Sequence, residues 1–95
     1  MNVNFTPQAR DDLLSIRDWI AADDDRAADR VVSRIVQTAM MFGQFPMMGR
    51  PGQVYTTREF SVAGLPYLIV YTIASETDVD LLTILHTRRR YPPLR

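Results

Sequence analysis

Two runs of residues in the second half of the chain are apolar at nearly every position, and they restrict the fold more than any other feature. They are residues 67–74, YLIVYTIA, and residues 79–86, VDLLTILH, with four residues between them. Each run has the length of a strand, and so short a connection joins antiparallel neighbours. In a sheet with one buried face, the strands alternate apolar with polar residues. Neither of these two runs shows that alternation. We therefore expect a sheet with apolar area on both faces.

Two amphipathic helices are predicted before the sheet. Thr6 and Pro7 form a helix start, with Thr6 as the N-cap and Pro7 at the first helical position. This helix ends at the aspartate run 23–25, which also supplies the cap of a second helix. Gly43 and then Pro46 stop that second helix. Because few residues join the two helices, they should pack as an antiparallel hairpin.

The remaining segments complete the predicted fold. Residues 2–6 favour a short edge strand, residues 46–57 are rich in glycine and proline and favour a loop, and a further strand runs from about 58 to 63. The order β-α-α-β-β-β predicts a two-layer α+β domain over residues 1–95, with the helical hairpin on one face of a mainly antiparallel sheet.

The second face of that sheet is predicted to bind a partner. Two helices can cover only one face, and an exposed apolar face in a globular protein usually marks an interaction surface. Alternatively, the C-terminal tail, the 46–57 loop or self-association covers it.

Composition excludes several classes of protein. The chain has 95 residues, no cysteine and one histidine, so a disulfide framework and a zinc–thiolate site are excluded. We expect no metal and no cofactor, because no ligand cluster, P-loop or nucleophile motif occurs. No signal peptide is visible in MNVNF, and the apolar stretch 65–73 is too short to span a bilayer. We therefore expect a cytoplasmic protein without membrane contact.

Two smaller expectations concern the first helix. Asp11 and Asp12 lie near its start, where carboxylates favour the positive end of the helix dipole. Trp19 lies beside its apolar stripe and is expected to pack at the boundary between helix and sheet.

Positive charge is concentrated at the end of the chain. All eleven basic residues are arginine, and the net charge of zero conceals an excess of cations in the second half. The cluster of interest contains Arg50, Arg58, His86, the arginine triplet 88–90, Tyr91 and Arg95. Such a set can bind nucleic acid, cleave RNA without a metal, or dock an acidic protein.

Four motifs in their order resemble the RelE/ParE superfamily of toxins from bacterial type II toxin–antitoxin modules, and the ParE-like members most. They are GRPG at 49–52, TREF at 57–60, PYLIVYTI at 66–73 and LHTRRRYP at 85–92. The resemblance implies a toxin that a ParD-like antitoxin neutralises, in a higher-order hetero-oligomer. We expect a flexible antitoxin segment to contact the apolar sheet residues Tyr67, Leu68, Val70, Leu82 and Ile84.

The superfamily contains two activities. RelE-like members cleave mRNA on the ribosome, whereas ParE-like members poison DNA gyrase. Here Leu68 stands on the middle strand where RNA-cleaving relatives commonly carry arginine, which favours a gyrase poison without enzymatic activity of its own. The residues expected to bind the target are Arg58, Arg88, Arg89, Arg90 and Tyr91.

Two alternatives remain open. The first is a metal-independent, ribosome-dependent endoribonuclease, whose catalytic residues would be Arg58, His86, Arg89 and Tyr91. The second is an inactive relative that binds its antitoxin and is not toxic.

Overall fold

A computed structural model describes residues 1–88, which form two helices packed on a mixed five-stranded sheet. The helices are α1 (Pro7–Ala21) and α2 (Asp25–Met40), and α2 continues into a 3-10 helix (Met41–Gly43). The strands are β1 (Asn2–Phe5), β2 (Arg50–Pro51), β3 (Thr57–Ser61), β4 (Tyr67–Ile73) and β5 (Asp78–His86). The predicted two-layer α+β architecture is confirmed.

The strand order is β1-β5-β4-β3-β2. β1 pairs with β5 in parallel, and all other pairs are antiparallel. The prediction of a structureless loop over residues 46–57 is wrong in one detail, because Arg50 and Pro51 pair with β3 as a short edge strand. Proline is tolerated in an edge strand, because its missing N–H costs no ladder hydrogen bond there. The glycine and proline content of this segment therefore did not indicate a strand.

Both helices begin at the capping residues that the sequence predicts. Thr6 Oγ1 accepts a hydrogen bond from the Ala9 N–H at 3.2 Å, and Pro7 follows at the first helical position. The Asp24 carboxylate caps α2 by accepting from the N–H groups of Arg26 and Ala27, at 3.0 and 3.1 Å. These bonds satisfy donors that a helix start otherwise leaves unpaired.

An aromatic stack joins the helical layer to the sheet. Phe42, on the 3-10 helix, lies parallel to Tyr71 of β4 with ring centroids 4.0 Å apart. The Tyr71 hydroxyl accepts from the Gly49 N–H at 2.8 Å and donates to the Pro46 carbonyl at 2.7 Å. A Cβ on Gly49 would fall 2.6 Å from that hydroxyl, so glycine is needed for this close approach. Tyr71 therefore fixes the 46–49 segment on the core.

Asp12 connects α1 to the edge of β5. Its carboxylate is 7% exposed and accepts hydrogen bonds from the Thr83 hydroxyl, from the Ile84 N–H at 3.0 Å and from Gln8 Nε2 at 2.8 Å. This contact lies beyond the end of β1, where the edge of β5 would otherwise be unpaired. Asp12 therefore has a structural role, as expected, but it acts through these bonds and not through the helix dipole, because α1 has no acidic residue in its first turn.

The expected packing of Trp19 is also wrong. Its side chain is 67% exposed. Ala9 and Ile16 are buried and Ile20 packs against the core, so they occupy the contact with the sheet and leave Trp19 on the flank of the helix. None of the helices within residues 1–88 has the length and apolar character needed to cross a membrane.

We predict that Asp12→Ala lowers the free energy of unfolding by about 2–3 kcal/mol, because it leaves a buried N–H and a hydroxyl without their acceptor. Urea denaturation measures this change. Asp11→Ala is the matched control, since Asp11 is exposed and should change stability by less than about 0.5 kcal/mol. Equal losses in both variants would contradict the proposed contact.

Candidate partner-binding surface

The sheet face opposite the helices, here called the open face, has an apolar centre. Leu68 pairs with Leu85, and Val70 lies two residues further along β4. All three side chains are half-buried, while the residues that alternate with Leu68 and Val70 on β4, namely Ile69 and Tyr71, are fully buried under the helices. The predicted two-sided apolar sheet is therefore present at its centre.

Two residues predicted for this surface lie instead in the core. Tyr67 is 4% exposed and Ile84 is 2% exposed, and both belong to the buried cluster on the helix side. Tyr67 faces the helices because it shares the two-residue period of Ile69. We therefore exclude Tyr67 and Ile84 from the open face.

A β-bulge explains the position of Ile84. The pairing shifts between Val70 and Tyr71, so that Thr83 lies opposite Val70, Leu81 lies opposite Tyr71, and Leu82 is the extra residue. After such a residue the alternation of faces reverses. Leu81 and Ile84 are both buried as a result, and Leu82 is half-buried in the bulge. Leu85, which was not among the residues predicted for this surface, takes the open-face position because of the bulge.

Carboxylates border the apolar centre on the β1 side. Asp78 accepts hydrogen bonds from Thr77 Oγ1 at 2.6 Å, Asn4 Nδ2 at 3.1 Å and Asn2 Nδ2 at 3.4 Å. The Thr77 bond first, and then the asparagine bonds, lower the pKa of Asp78 from 3.8 to about 2. Asp80 accepts from the same Asn4 side chain at 3.0 Å. This end of the open face is therefore acidic at neutral pH.

Arg58 is held by backbone carbonyls and does not point to the open face. It pairs opposite Tyr71, a residue of the helix side. Its Nε donates to the Gly49 carbonyl at 2.8 Å, and a terminal nitrogen donates to the Met47 carbonyl at 3.3 Å. These bonds give Arg58 a structural role, which is to hold the 47–49 segment against β3.

His86 ends β5 on the same side as Tyr67. The two rings meet edge to face, with centroids 5.3 Å apart. His86 Nδ1 accepts from the Arg88 N–H at 3.1 Å, so a neutral ring carries its proton on Nε2. Arg88 itself is exposed. The other predicted residues of this cluster, Arg89, Arg90 and Tyr91, lie outside the described residues.

Arg58 and His86 are not brought together. Arg58 lies opposite Tyr71 and His86 opposite Tyr67, on the two strands that flank β4. Four residues along β4 and two strand spacings across it separate their backbones by roughly 16 Å. No group of three or more His, Cys, Asp or Glu side chains within residues 1–88 is arranged to hold a metal ion.

Comparison with known proteins places the chain in a family. The profile of the family described as "ParE toxin of type II toxin-antitoxin system, parDE" matches residues 3–91. The chain belongs to this ParE toxin family. The resemblance stated from the sequence motifs is thereby confirmed, and the protein is the toxin component of a type II toxin–antitoxin module.

Two further similarities agree with the ParE family. The Sinorhizobium fredii protein named "Putative toxin Y4kP" is 38% identical over 90 residues, which are 95% of this chain and 92% of that protein. A solved structure entitled "Chromosomal ParDE TA system from P. aeruginosa" superposes with a TM-score of 0.80 at 21% identity. It covers 90% of this chain and 95% of its own, and it shows that the two chains share the fold. Membership of the ParE toxin family implies an antitoxin as partner.

From the lowered pKa of Asp78 we predict how the stability of this ParE-family toxin depends on pH in the acid range. Because the folded-state pKa of about 2 lies below the ordinary value of 3.8, Asp78 contributes its full stabilisation above pH 3.8 and loses it as the pH falls towards 2. The difference in melting temperature between the wild type and Asp78→Asn should shrink over that interval. A thermal melt at each pH measures it, and a difference that stays constant would contradict the assignment.

Proposed function

We propose that this ParE-family toxin poisons DNA gyrase and is not a ribonuclease. The separation of Arg58 from His86 is the observation that supports this most. Metal-free RNA cleavage needs a base, an acid and cations grouped around one phosphate. Arg58 and His86 stand roughly 16 Å apart on the sheet, and the Arg58 guanidinium already donates to two carbonyls.

The open face is also unsuited to RNA. Its apolar centre carries Leu68 and Val70, and Asp78 and Asp80 carry negative charge beside it. Glu59 adds a further carboxylate, although Arg50 pairs with it at 3.4 Å. A surface of aliphatic and acidic groups repels a phosphate backbone and favours a protein partner.

We assign target binding to the basic segment that starts at Arg88. Arg88 is exposed and lies two residues beyond the end of β5 at His86. With Arg89, Arg90 and Tyr91 it forms a cationic end that attracts an anionic surface, whether of gyrase or of its bound DNA. Arg58 is left out of this assignment because of its structural bonds.

We assign antitoxin binding to the open face. A flexible antitoxin segment that orders on this surface would bury Leu68, Val70, Leu82 and Leu85, which the chain itself leaves half-exposed. Two such surfaces, one for each partner, are compatible with the higher-order toxin–antitoxin hetero-oligomer that we expect. Gyrase and the antitoxin would both be met in the cytoplasm.

The first test uses purified toxin, gyrase and supercoiled plasmid. We expect the toxin to make gyrase accumulate cleaved DNA, and we expect antitoxin added beforehand to prevent this. Arg88→Ala should raise the toxin concentration for half-maximal cleavage by about three- to tenfold, because it removes one cation from the contact. Arg26→Ala is the matched control, since Arg26 is an exposed arginine on α2.

Cleavage of mRNA on the ribosome with gyrase unaffected would show that the proposal is wrong and that the ribonuclease alternative is correct. A toxin that does neither, and that is harmless when expressed without antitoxin, would be an inactive relative.

The second test concerns the open face. Val70→Arg should weaken antitoxin binding by about 10- to 100-fold, because it places a charge in the centre of an apolar contact. Ser33→Arg is the control, as it introduces the same side chain at an exposed position of α2. Isothermal titration measures both affinities, and circular dichroism confirms that the variants fold. Unchanged affinity for Val70→Arg would remove the open face from the antitoxin interface.

A further inference from the structure

The loop that joins β2 to β3, here called the 52–57 loop because Thr57 at the start of β3 closes it, is held by its own hydrogen bonds. The Gly52 N–H donates to the Thr57 carbonyl at 2.8 Å. The Val54 carbonyl accepts from the Thr57 N–H at 3.1 Å and from the Thr57 hydroxyl at 2.6 Å. A Cβ on Gly52 would collide with the Thr57 hydroxyl, so this closure requires glycine. The loop is therefore a tightly closed turn.

Side chains of the sheet hold the loop from outside. Glu59 Oε2 accepts from the Gln53 N–H at 3.2 Å, and the Thr72 hydroxyl donates to the Thr56 carbonyl at 2.8 Å. Both Glu59 and Thr72 lie on strands of the sheet. The loop is thus attached to a rigid base on two sides.

These bonds maintain a strained residue. Thr56 has a φ of 71°, and within residues 1–88 it is the one non-glycine residue with positive φ. A β-branched side chain strongly disfavours this conformation, which persists only where the surroundings enforce it. Strain of this kind is concentrated at sites of function.

The strained turn presents two apolar side chains to solvent. Tyr55 is 91% exposed and Val54 is 68% exposed. Exposed large apolar residues on a rigid base are typical of binding anchors, because a partner that buries them restricts few additional degrees of freedom. Tyrosine adds a hydroxyl that can hydrogen-bond at the far end of its ring.

We infer that the 52–57 loop is a second target-contacting element of the toxin, in which Tyr55, supported by Val54, inserts into an apolar pocket of a folded protein. This inference rests on the proposed function, in which that folded protein is gyrase. The pocket would be lined by apolar groups, with a hydrogen-bond acceptor placed for the tyrosine hydroxyl.

Protein is favoured over nucleic acid by the charges beside the loop. Arg50, on the adjacent strand, is paired with Glu59, and Arg58 donates to carbonyls. The Arg58 guanidinium is thus occupied by two carbonyls, and the Glu59 carboxylate, which offsets the exposed Arg50, would repel a phosphate. Val54 next to Tyr55 fits an apolar protein pocket better than a stack of bases.

The shape of the loop favours the target over the antitoxin. An antitoxin segment that orders on binding lies along a groove or a flat face of its partner and has no pocket of its own. In the 52–57 loop the Tyr55 side chain is 91% exposed, so a partner that buries it must supply a cavity, which a folded protein can offer.

The test compares Tyr55→Ala with Leu14→Ala, which removes an apolar side chain that is 58% exposed on α1. For Tyr55→Ala we expect growth inhibition to be lost and the toxin concentration for half-maximal gyrase cleavage to rise at least about tenfold. Antitoxin affinity and melting temperature should stay at wild-type values. Leu14→Ala should match the wild type throughout, and Tyr55→Phe should retain most activity because it keeps the ring.

Several results would overturn the inference. Wild-type toxicity and gyrase cleavage by Tyr55→Ala would exclude the loop from target contact. Loss of antitoxin binding in the same variant would make the loop an antitoxin contact. If the wild type leaves gyrase unaffected, the proposed target is wrong, and the growth assay then still decides whether the loop is needed. Loss of ribosomal mRNA cleavage in Tyr55→Ala would point to a nucleic-acid contact instead.

Discussion

A hairpin of two helices can cover only one face of a five-stranded sheet, and this limit determines how the molecule divides its surfaces. The covered side is closed by the Phe42–Tyr71 stack and by the contact of Asp12 with the edge of β5. The uncovered side keeps an apolar centre around Leu68 and Val70 that no helix or strand within residues 1–88 buries. A closed core on one side of the sheet and a half-buried apolar face on the other thus follow from the same architecture.

Much of this architecture can be predicted from local signals, because the caps, turns and apolar periods that define the elements are short-range. Thr6 and Pro7 start α1 as expected, and the strands fall close to their predicted positions. The wrong placement of Tyr67 was avoidable, because it follows from the two-residue period of β4, but two other failures are non-local. The bulge at Leu82 exchanges the faces of β5, and Arg58 is occupied by carbonyls of the preceding loop, which no spacing along the sequence reveals. These errors did not affect the family assignment, because that assignment depended on the order of the motifs along the sequence.

Under the proposed function the two partners meet surfaces of different chemistry. The antitoxin would cover an apolar face with acidic neighbours, whereas the target would meet the cationic end that begins at Arg88 and the rigid turn that carries Tyr55. Mutations could then separate neutralisation from toxicity. The strain at Thr56 fits this view, since local instability at a contact loop is tolerable where the sheet beneath it is firmly packed.

The parallel pairing of β1 with β5 also affects when the toxin can fold during its synthesis. Asn2 is aligned with Asp78 and Phe5 with Leu81, so the first strand to be synthesised can pair only after the last strand within residues 1–88 has been made. Pairing over such a separation requires a large loop to close and slows folding. The growing chain therefore cannot complete its sheet until β5, which ends at His86, has left the ribosome, and a nascent or truncated chain without β5 lacks the central pairing partner of both β1 and β4.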